Sequence, residues 1–123
     1  MNLVDSSGWL EYLVDGPRAD AFSGPLRDTA SLLVPTVCIY EVFKVVLRER
    51  GDEDALQAMA LMKQGVVVDL TPEIAIMAAK VSLELKIPMA DSIVLATGRL
   101  YDAVVWTRDA DFKGIKGVKY FSK

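Results

Sequence analysis

Short, almost uninterrupted apolar runs are the feature of this sequence that most limits its fold. They lie at residues 2–4, 31–35, 66–70 and 103–107, and residues 118–121 are a candidate fifth. Strands with one solvent-facing side alternate apolar and polar residues, whereas consecutive apolar positions are typical of strands buried on both faces of a parallel sheet. Stretches with helix signals separate the runs. The sequence therefore predicts an α/β domain with a mainly parallel, short-stranded sheet.

The segments between the runs predict six helices. We expect them from Ser6 or Ser7 (the N-cap candidates) to Leu13, around residues 19–26, from Thr36 to Gly51, from Asp52, from Thr71-Pro72-Glu73, and over 90–101. The last is apolar almost all round, so we place it at the centre of the domain. The chain has 123 residues and no internal repeat or long linker, which predicts a single domain over residues 1–123.

Composition excludes several kinds of chemistry. The chain has no histidine and one cysteine, Cys38, so Ser-His-Asp and Cys-His catalysis are excluded and a structural zinc site is disfavoured. Any catalysis must use carboxylates, lysines, hydroxyls or a hard metal ion. A net charge of −3 argues against broad binding of a duplex through a basic face.

The same composition bears on localisation. A single cysteine fits a reducing compartment, the N-terminus carries no export signal, and no apolar run approaches the ~18 residues of a membrane span. We therefore expect a cytoplasmic protein with no membrane association.

Acidic residues follow two of the predicted strands. Asp5 comes directly after residues 2–4, and Asp109 and Asp111 come shortly after residues 103–107. Parallel α/β sheets bind ligands beyond the carboxyl ends of their strands, so these acids are expected to face a crevice. The alternatives are that Asp5 caps a helix and that Asp109 and Asp111 form a turn before Phe112.

Two further acids stand in apolar helical surroundings. Glu41 lies one turn into the helix after the second strand, and Asp91 lies at the start of the central helix. An unpaired buried carboxylate is costly, so each needs a reason. Glu41 would be explained by an ion pair with Lys44 or by exposure, and Asp91 by a role as N-cap.

Together, these acids can converge on one pocket at the carboxyl ends of the strands. Convergent carboxylates repel one another, which disfavours them unless a cation binds between them. A set of oxygen ligands selects hard ions such as Mg²⁺ or Mn²⁺. Such ions polarise phosphoryl oxygens and lower the pKa of bound water, which phosphodiester hydrolysis needs when histidine is absent.

The sequence resembles the PIN domain family, and within it the ribonuclease toxins of the VapC type. The resemblance covers essentially the whole chain and is carried by LVDSSGWLEYL (3–13), PTVCIYEV (35–42), IPMADSIVLATGRL (87–100) and VVWTRDADF (104–112). It implies a three-layer α/β/α fold with an acidic pocket. It also implies a Mg²⁺- or Mn²⁺-dependent endoribonuclease that cleaves single-stranded RNA to leave a 5′-phosphate, a homodimer, and a small antitoxin partner.

The resemblance also implies roles for individual residues. Asp5, Glu41, Asp91 and Asp109 match the catalytic metal ligands, Ser6 and Thr107 match hydroxyls that orient those carboxylates, and Asp111 matches a further acid near the site. Lys44, Arg48, Arg108 and Lys113 lie near these acids and are candidate RNA contacts, although each is also explained as an ordinary solvated charge. The helices after Pro35 and Gly51 carry surplus apolar residues, so we place the dimer contact at residues 36–62.

Two alternative functions remain. A response-regulator receiver also has an acidic magnesium pocket, and Asp69 after the third strand would be its phosphorylated residue; however, a receiver has adjacent acids after strand one, where this chain has only Asp5. The other alternative is a PIN fold that serves as a non-catalytic interaction module.

Overall fold

The computed structural model describes residues 1–122 and contains one five-stranded sheet. The strands are β1 (Asn2–Val4), β2 (Leu32–Pro35), β3 (Val66–Val68), β4 (Val104–Thr107) and β5 (Val118–Tyr120). Their order across the sheet is β3-β2-β1-β4-β5, and every neighbouring pair is parallel. The prediction of a parallel α/β domain is confirmed.

Six α-helices connect the strands. They are α1 (Ser6–Leu13), α2 (Ala19–Arg27), α3 (Thr36–Arg50), α4 (Asp52–Met62), α5 (Pro72–Leu85) and α6 (Met89–Leu100), with short 3-10 turns at Thr29–Ser31 and Ala110–Phe112. None of the described helices is long and apolar enough to cross a membrane. The predicted N-cap of α1 was wrong. Asp5 occupies that position because its carboxylate accepts a hydrogen bond from the Gly8 backbone N–H, so the helix begins at Ser6.

Helices cover both faces of the sheet. Consecutive strand residues point to opposite faces, and Leu3 and Val4 of β1 are both fully buried, as are Leu33 and Val34 of β2. Seven consecutive residues of α6, Ser92–Gly98, are buried, which confirms the predicted central position of this helix. The result is the expected three-layer α/β/α arrangement.

The order of the strands fixes where a binding crevice forms. From β1 the chain moves outward through β2 and β3 on one side, then crosses to β4 and β5 on the other side of β1. In open parallel sheets, a crevice opens beyond the carboxyl ends of the strands at the point where the direction reverses. Here that point lies between the end of β1, at Asp5, and the end of β4, at Thr107.

Candidate active site

Asp5 lies at the floor of this crevice and is only 3% exposed. Its Oδ1 accepts hydrogen bonds from Ser7 Oγ at 2.6 Å and from the Gly8 backbone N–H at 3.1 Å, and its Oδ2 accepts one from Thr107 Oγ1 at 2.7 Å. Burial nonetheless raises the pKa of Asp5 to about 6, because the hydrogen bonds only partly offset the desolvation of the carboxylate. Asp5 thus caps α1, and three hydrogen bonds fix the orientation of its carboxylate.

Thr107 connects Asp5 to the segment after β4. It is fully buried, and its hydroxyl oxygen accepts a hydrogen bond from the backbone N–H of Asp109 at 2.9 Å. Its hydroxyl also donates to the Asp5 carboxylate at 2.7 Å, which is the contact that the predicted orienting role needs; the role itself stays a prediction. Ser7 also joins the two segments, since its hydroxyl accepts a hydrogen bond from the Arg108 backbone N–H at 2.9 Å.

Three further carboxylates converge beside Asp5. Asp91, Asp109 and Asp111 each place one oxygen within 4.8 Å of the others. Asp109 caps the turn Ala110–Phe112 by accepting a hydrogen bond from the Asp111 backbone N–H at 2.9 Å, which brings the two acids together. Asp91 comes from the first turn of α6, whose N-cap is Pro88. The alternative that Asp91 is the N-cap is therefore wrong.

None of these three acids forms an ion pair with a cationic side chain in the described part of the chain. Within residues 1–122 the only ion pairs are Arg48–Glu49 and Arg108–Glu11. Burial, followed by the charges of Asp109, Asp111 and Asp5, raises the pKa of Asp91 to about 8. Crowded carboxylate oxygens without a cationic side chain are the donor set that a hard divalent cation prefers, so the residues present fit the metal ion predicted from the sequence.

Glu41 lies at the margin of the site rather than in the tight carboxylate group. Its Oε1 accepts a hydrogen bond from Ser6 Oγ at 3.0 Å, and no ion pair with Lys44 forms within the described part of the chain. Cys38, one turn earlier on α3, is fully buried; burial and then the charges of Asp5, Glu41 and Asp91 raise the pKa of its thiol. Glu41 is thus close enough to share the electrostatic environment of the other acids.

The candidate RNA-contacting residues differ in their surroundings. Lys44 and Lys113 are exposed, and the Lys44 ammonium lies 5.6 Å from the centre of the Tyr40 ring. Arg48 pairs with Glu49 on the surface, whereas the Arg108 guanidinium donates to the buried carboxylate of Glu11 at 2.6 Å. Arg108 is therefore directed inward in the structure.

Sequence reasoning assigned no role to Glu11 and considered Ser7 only as a helix cap. A usable signal was present for both residues. Ser7 and Glu11 are four residues apart on α1, so their side chains lie on the same face of the helix that Asp5 caps. Asp111, placed second to the other acids in the sequence analysis, belongs to the tight carboxylate group.

The family follows from the sequence of the whole domain. The model of the PIN domain family matches residues 3–118, so the chain belongs to the PIN domain family. The receiver alternative is accordingly wrong. Asp69, which it required as an acceptor, follows β3 at the edge of the sheet, two strands away from β1.

Solved structures of toxins and toxin–antitoxin complexes share this fold. A toxin–antitoxin complex from Klebsiella pneumoniae has a TM-score of 0.82 at 21% identity, with all of both chains covered. VapC20 of Mycobacterium tuberculosis, described as a sarcin-ricin loop cleaving toxin, has a TM-score of 0.78 at 17% identity over 94% of this chain and 95% of that one. VapBC2 of Rickettsia felis, bound to a DNA fragment from its promoter, has a TM-score of 0.74 at 11% identity over 98% of this chain and 97% of that one. No curated protein sequence matches the chain significantly.

Proposed function

We propose that this chain is a Mg²⁺- or Mn²⁺-dependent endoribonuclease that cleaves single-stranded RNA in the cytoplasm, as the toxin of a toxin–antitoxin pair. The observation that carries the proposal is the convergence of Asp91, Asp109 and Asp111 within 4.8 Å beside the buried Asp5. Within residues 1–122 none of these acids forms an ion pair with a cationic side chain, and the chain has no histidine to act as a base. Family membership and the fold of the structural relatives support the same function.

The acids differ in their proposed roles because they differ in their surroundings. Asp91, Asp109 and Asp111 would hold the metal ion, with Asp5 on the floor of the site and Glu41 at its margin. When bound, the ion supplies Lewis acidity toward a phosphoryl oxygen and lowers the pKa of water. Ser7 and Thr107 fix the Asp5 carboxylate, and Ser6 fixes Glu41 in the same way. Asp5 and Glu41 are thus oriented before any ligand arrives, which reduces reorganisation during the reaction.

An adjoining cavity offers room for the RNA chain next to these acids. It measures about 560 Å³ and is lined by Ser7, Arg108, Asp109, Ala110 and Tyr120. Because Asp109 belongs both to this cavity and to the carboxylate group, a strand passing through the cavity would bring a phosphodiester to the site. Exposed Lys113 and Lys44 are the candidates for contacting the flanking phosphates.

The proposal includes two protein partners. The structural relatives include a toxin–antitoxin complex and two DNA-bound VapBC assemblies, which supports such a partner here. A groove of about 380 Å³ at the junction of α1, α3 and α4, lined in part by Leu13, Val14 and Leu61, is a surface where a peptide segment would fit. For the homodimer, exposed Tyr40 and Leu47 lie seven residues apart on one face of α3, within the predicted contact region.

The test is an RNA cleavage assay with defined metals. Wild-type protein should cleave single-stranded RNA with Mg²⁺ or Mn²⁺, lose activity in EDTA, and recover when metal is added in excess. Asp109→Asn should abolish cleavage. Asp69→Asn is the matched control, since Asp69 also follows a strand but is exposed and remote from the site. Cleavage that persists in excess EDTA would refute the metal mechanism, and a folded protein that never cleaves RNA would favour the non-catalytic interaction module.

A further inference from the structure

We infer that Glu11 is a positioning residue that holds Asp109 and Asp111 in place through Arg108, an inference that rests on the proposed function. Glu11 lies on α1, and within residues 1–122 its carboxylate bonds to Arg18 and Arg108 rather than to any of the three converging acids. Its carboxylate is instead part of a buried connection between α1 and the segment that follows β4. We call this connection, formed by Ser7, Glu11 and Arg108, the α1 clamp.

The clamp grips Arg108 at two points. Ser7 Oγ accepts the Arg108 backbone N–H at 2.9 Å, and Glu11 Oε1 accepts the Arg108 guanidinium Nη1 at 2.6 Å. Ser7 and Glu11 are one helical turn apart, so one face of α1 holds both the backbone and the side chain of the same residue. Two contacts from one rigid helix fix the direction of the chain as well as its position.

The packing around Glu11 is built for this pair. The side chains of Glu11 and Arg108 are only 6% and 22% exposed, whereas those of the surface pair Arg48–Glu49 are 61% to 63% exposed. The other Glu11 oxygen accepts the backbone N–H of Arg18 at 2.7 Å. Gly16 packs directly against the carboxylate, where a Cβ would collide with it. The contacts with Arg18 and Gly16 thus restrict the Glu11 carboxylate to the position in which it binds Arg108.

The position of Arg108 in the sequence links the α1 clamp to the carboxylates of Asp109 and Asp111. Arg108 stands between Thr107, which donates to Asp5, and Asp109, whose carboxylate in turn receives the Asp111 backbone N–H. Displacing Arg108 would therefore move two of the three converging carboxylates while Asp91 stays on α6. Residues that orient metal ligands from behind typically change metal affinity by about 10- to 100-fold when they are mutated.

A direct role for Arg108 in contacting RNA predicts a different result. If Arg108 only bound RNA, its loss would weaken substrate binding and leave metal binding unchanged. If the Glu11–Arg108 pair only stabilised the fold, its loss would lower the melting temperature at every metal concentration equally. A measurement of metal binding without RNA separates both of these roles from positioning.

The experiment is a thermal melt of the 123-residue chain across a Mn²⁺ series, because a ligand that binds only the folded state raises the melting temperature with concentration. We expect Glu11→Gln to raise by about 10- to 100-fold the Mn²⁺ concentration that produces a given rise in the melting temperature. Gly16→Ala, which displaces the Glu11 carboxylate without removing its charge, should act in the same direction. The control Glu49→Gln, which breaks the exposed ion pair, should keep the wild-type value.

One variant keeps the test decisive if Glu11→Gln does not fold. Removing one partner of a buried ion pair is strongly destabilising, whereas replacing both partners by apolar residues of similar volume is often neutral. Glu11→Met/Arg108→Met should therefore fold and still show the weakened Mn²⁺ response. A double variant that melts with the wild-type Mn²⁺ response would overturn the α1 clamp alone. A wild-type protein with no Mn²⁺-dependent rise would overturn the proposed metal site and the clamp together.

Discussion

Replacing Asp91 by asparagine should stabilise the metal-free protein, and the gain should increase with pH. Burial and the neighbouring acids raise the pKa of Asp91 from 3.8 to about 8. Between these two values the folded chain binds more protons than the unfolded chain, so the free energy of unfolding falls as pH rises. Below the lower value the effect disappears, and above the higher value it is complete. Asparagine has nearly the same shape and no proton to lose.

The size of the gain follows from the pKa change and the exposure of the group. One pKa unit corresponds to about 1.4 kcal/mol, which sets an upper limit of about 6 kcal/mol for the full change. Asp91 is partly exposed, and solvent screening reduces the effective penalty to about 1–2 kcal/mol. An ionised acid in the first turn of a helix recovers about 0.3–1 kcal/mol. The net gain expected for Asp91→Asn is about 1 kcal/mol near pH 8 and a few tenths near pH 5.

Urea unfolding in EDTA, followed by circular dichroism at both pH values, measures this difference. The exposed Asp69→Asn variant controls for the loss of one negative charge from the chain as a whole. In Mg²⁺ the order should reverse, because the wild type gains more from the ion than the variant does. A destabilised Asp91→Asn protein, or a gain of the same size at both pH values, would refute the repulsion argument.

Three further predictions concern other parts of the molecule. Thr107→Val should lower the free energy of unfolding by about 2 kcal/mol, since Asp5 and the Asp109 N–H each lose a buried partner. Urea unfolding measures this loss, and a loss no larger than that of Thr36→Val, at a partly exposed position, would contradict the prediction. Cys38 should resist iodoacetamide until the protein unfolds, because its thiol is fully buried and its pKa is raised; rapid labelling of the native protein would oppose this. Light scattering should give twice the chain mass, and a monomer at high micromolar concentration would count against the homodimer.

The inner strands β1 and β2 were predictable because burial leaves a direct trace in the sequence, whereas the apolar run of the edge strand β3 is exposed at Val66 and Val67. All four residues of Leu32–Pro35 are buried, and a strand covered on both faces has no polar position to interrupt the run. The predicted third strand, residues 66–70, was two residues too long. β3 pairs only as far as Val68, opposite Pro35, where β2 ends. Asp69 and Leu70 therefore have no neighbour to pair with, and a pattern within one segment cannot show where its partner stops.

The acids were predictable as a set, but their grouping was not. Asp5 and Asp109 follow parallel strands, whose carboxyl ends share one edge of the sheet, so a common crevice was predictable; the direct neighbourhood of β1 and β4 comes from the strand order that the structure shows. The closeness of Asp111 depends on the turn at Ala110–Phe112 and on one backbone hydrogen bond, which single-sequence patterns do not specify. The partner of Glu11 lies 97 residues away, and nothing local in the sequence marks that distance.

Asp5 and Asp91 are both buried enough to resist ionisation, yet their surroundings differ. Asp5 accepts three hydrogen bonds, which partly stabilise its charged form. Within residues 1–122 no N–H or hydroxyl group is found to donate to the Asp91 carboxylate, and its side-chain hydrogen bond with Asp111 favours the protonated form. The pKa of Asp91 is therefore raised further, to about 8 against about 6 for Asp5. At neutral pH the Asp91 carboxyl group is therefore mostly protonated, and this proton must leave before the carboxylate can bind a cation.

Metal binding at pH 7 should accordingly release about one proton, because a carboxylate ligand must be deprotonated. The apparent dissociation constant for Mn²⁺ should fall about tenfold for each pH unit between pH 6 and pH 8, and then level off as Asp91 becomes ionised without metal. Titration calorimetry at pH 7 in buffers of different ionisation enthalpy counts the released protons directly, and the same titration at pH 9 should find far fewer. Binding that releases no proton at pH 7 would show that Asp91 is already ionised, and the crowding of Asp91 by Asp109 and Asp111 would then be too weak to explain the acidic site.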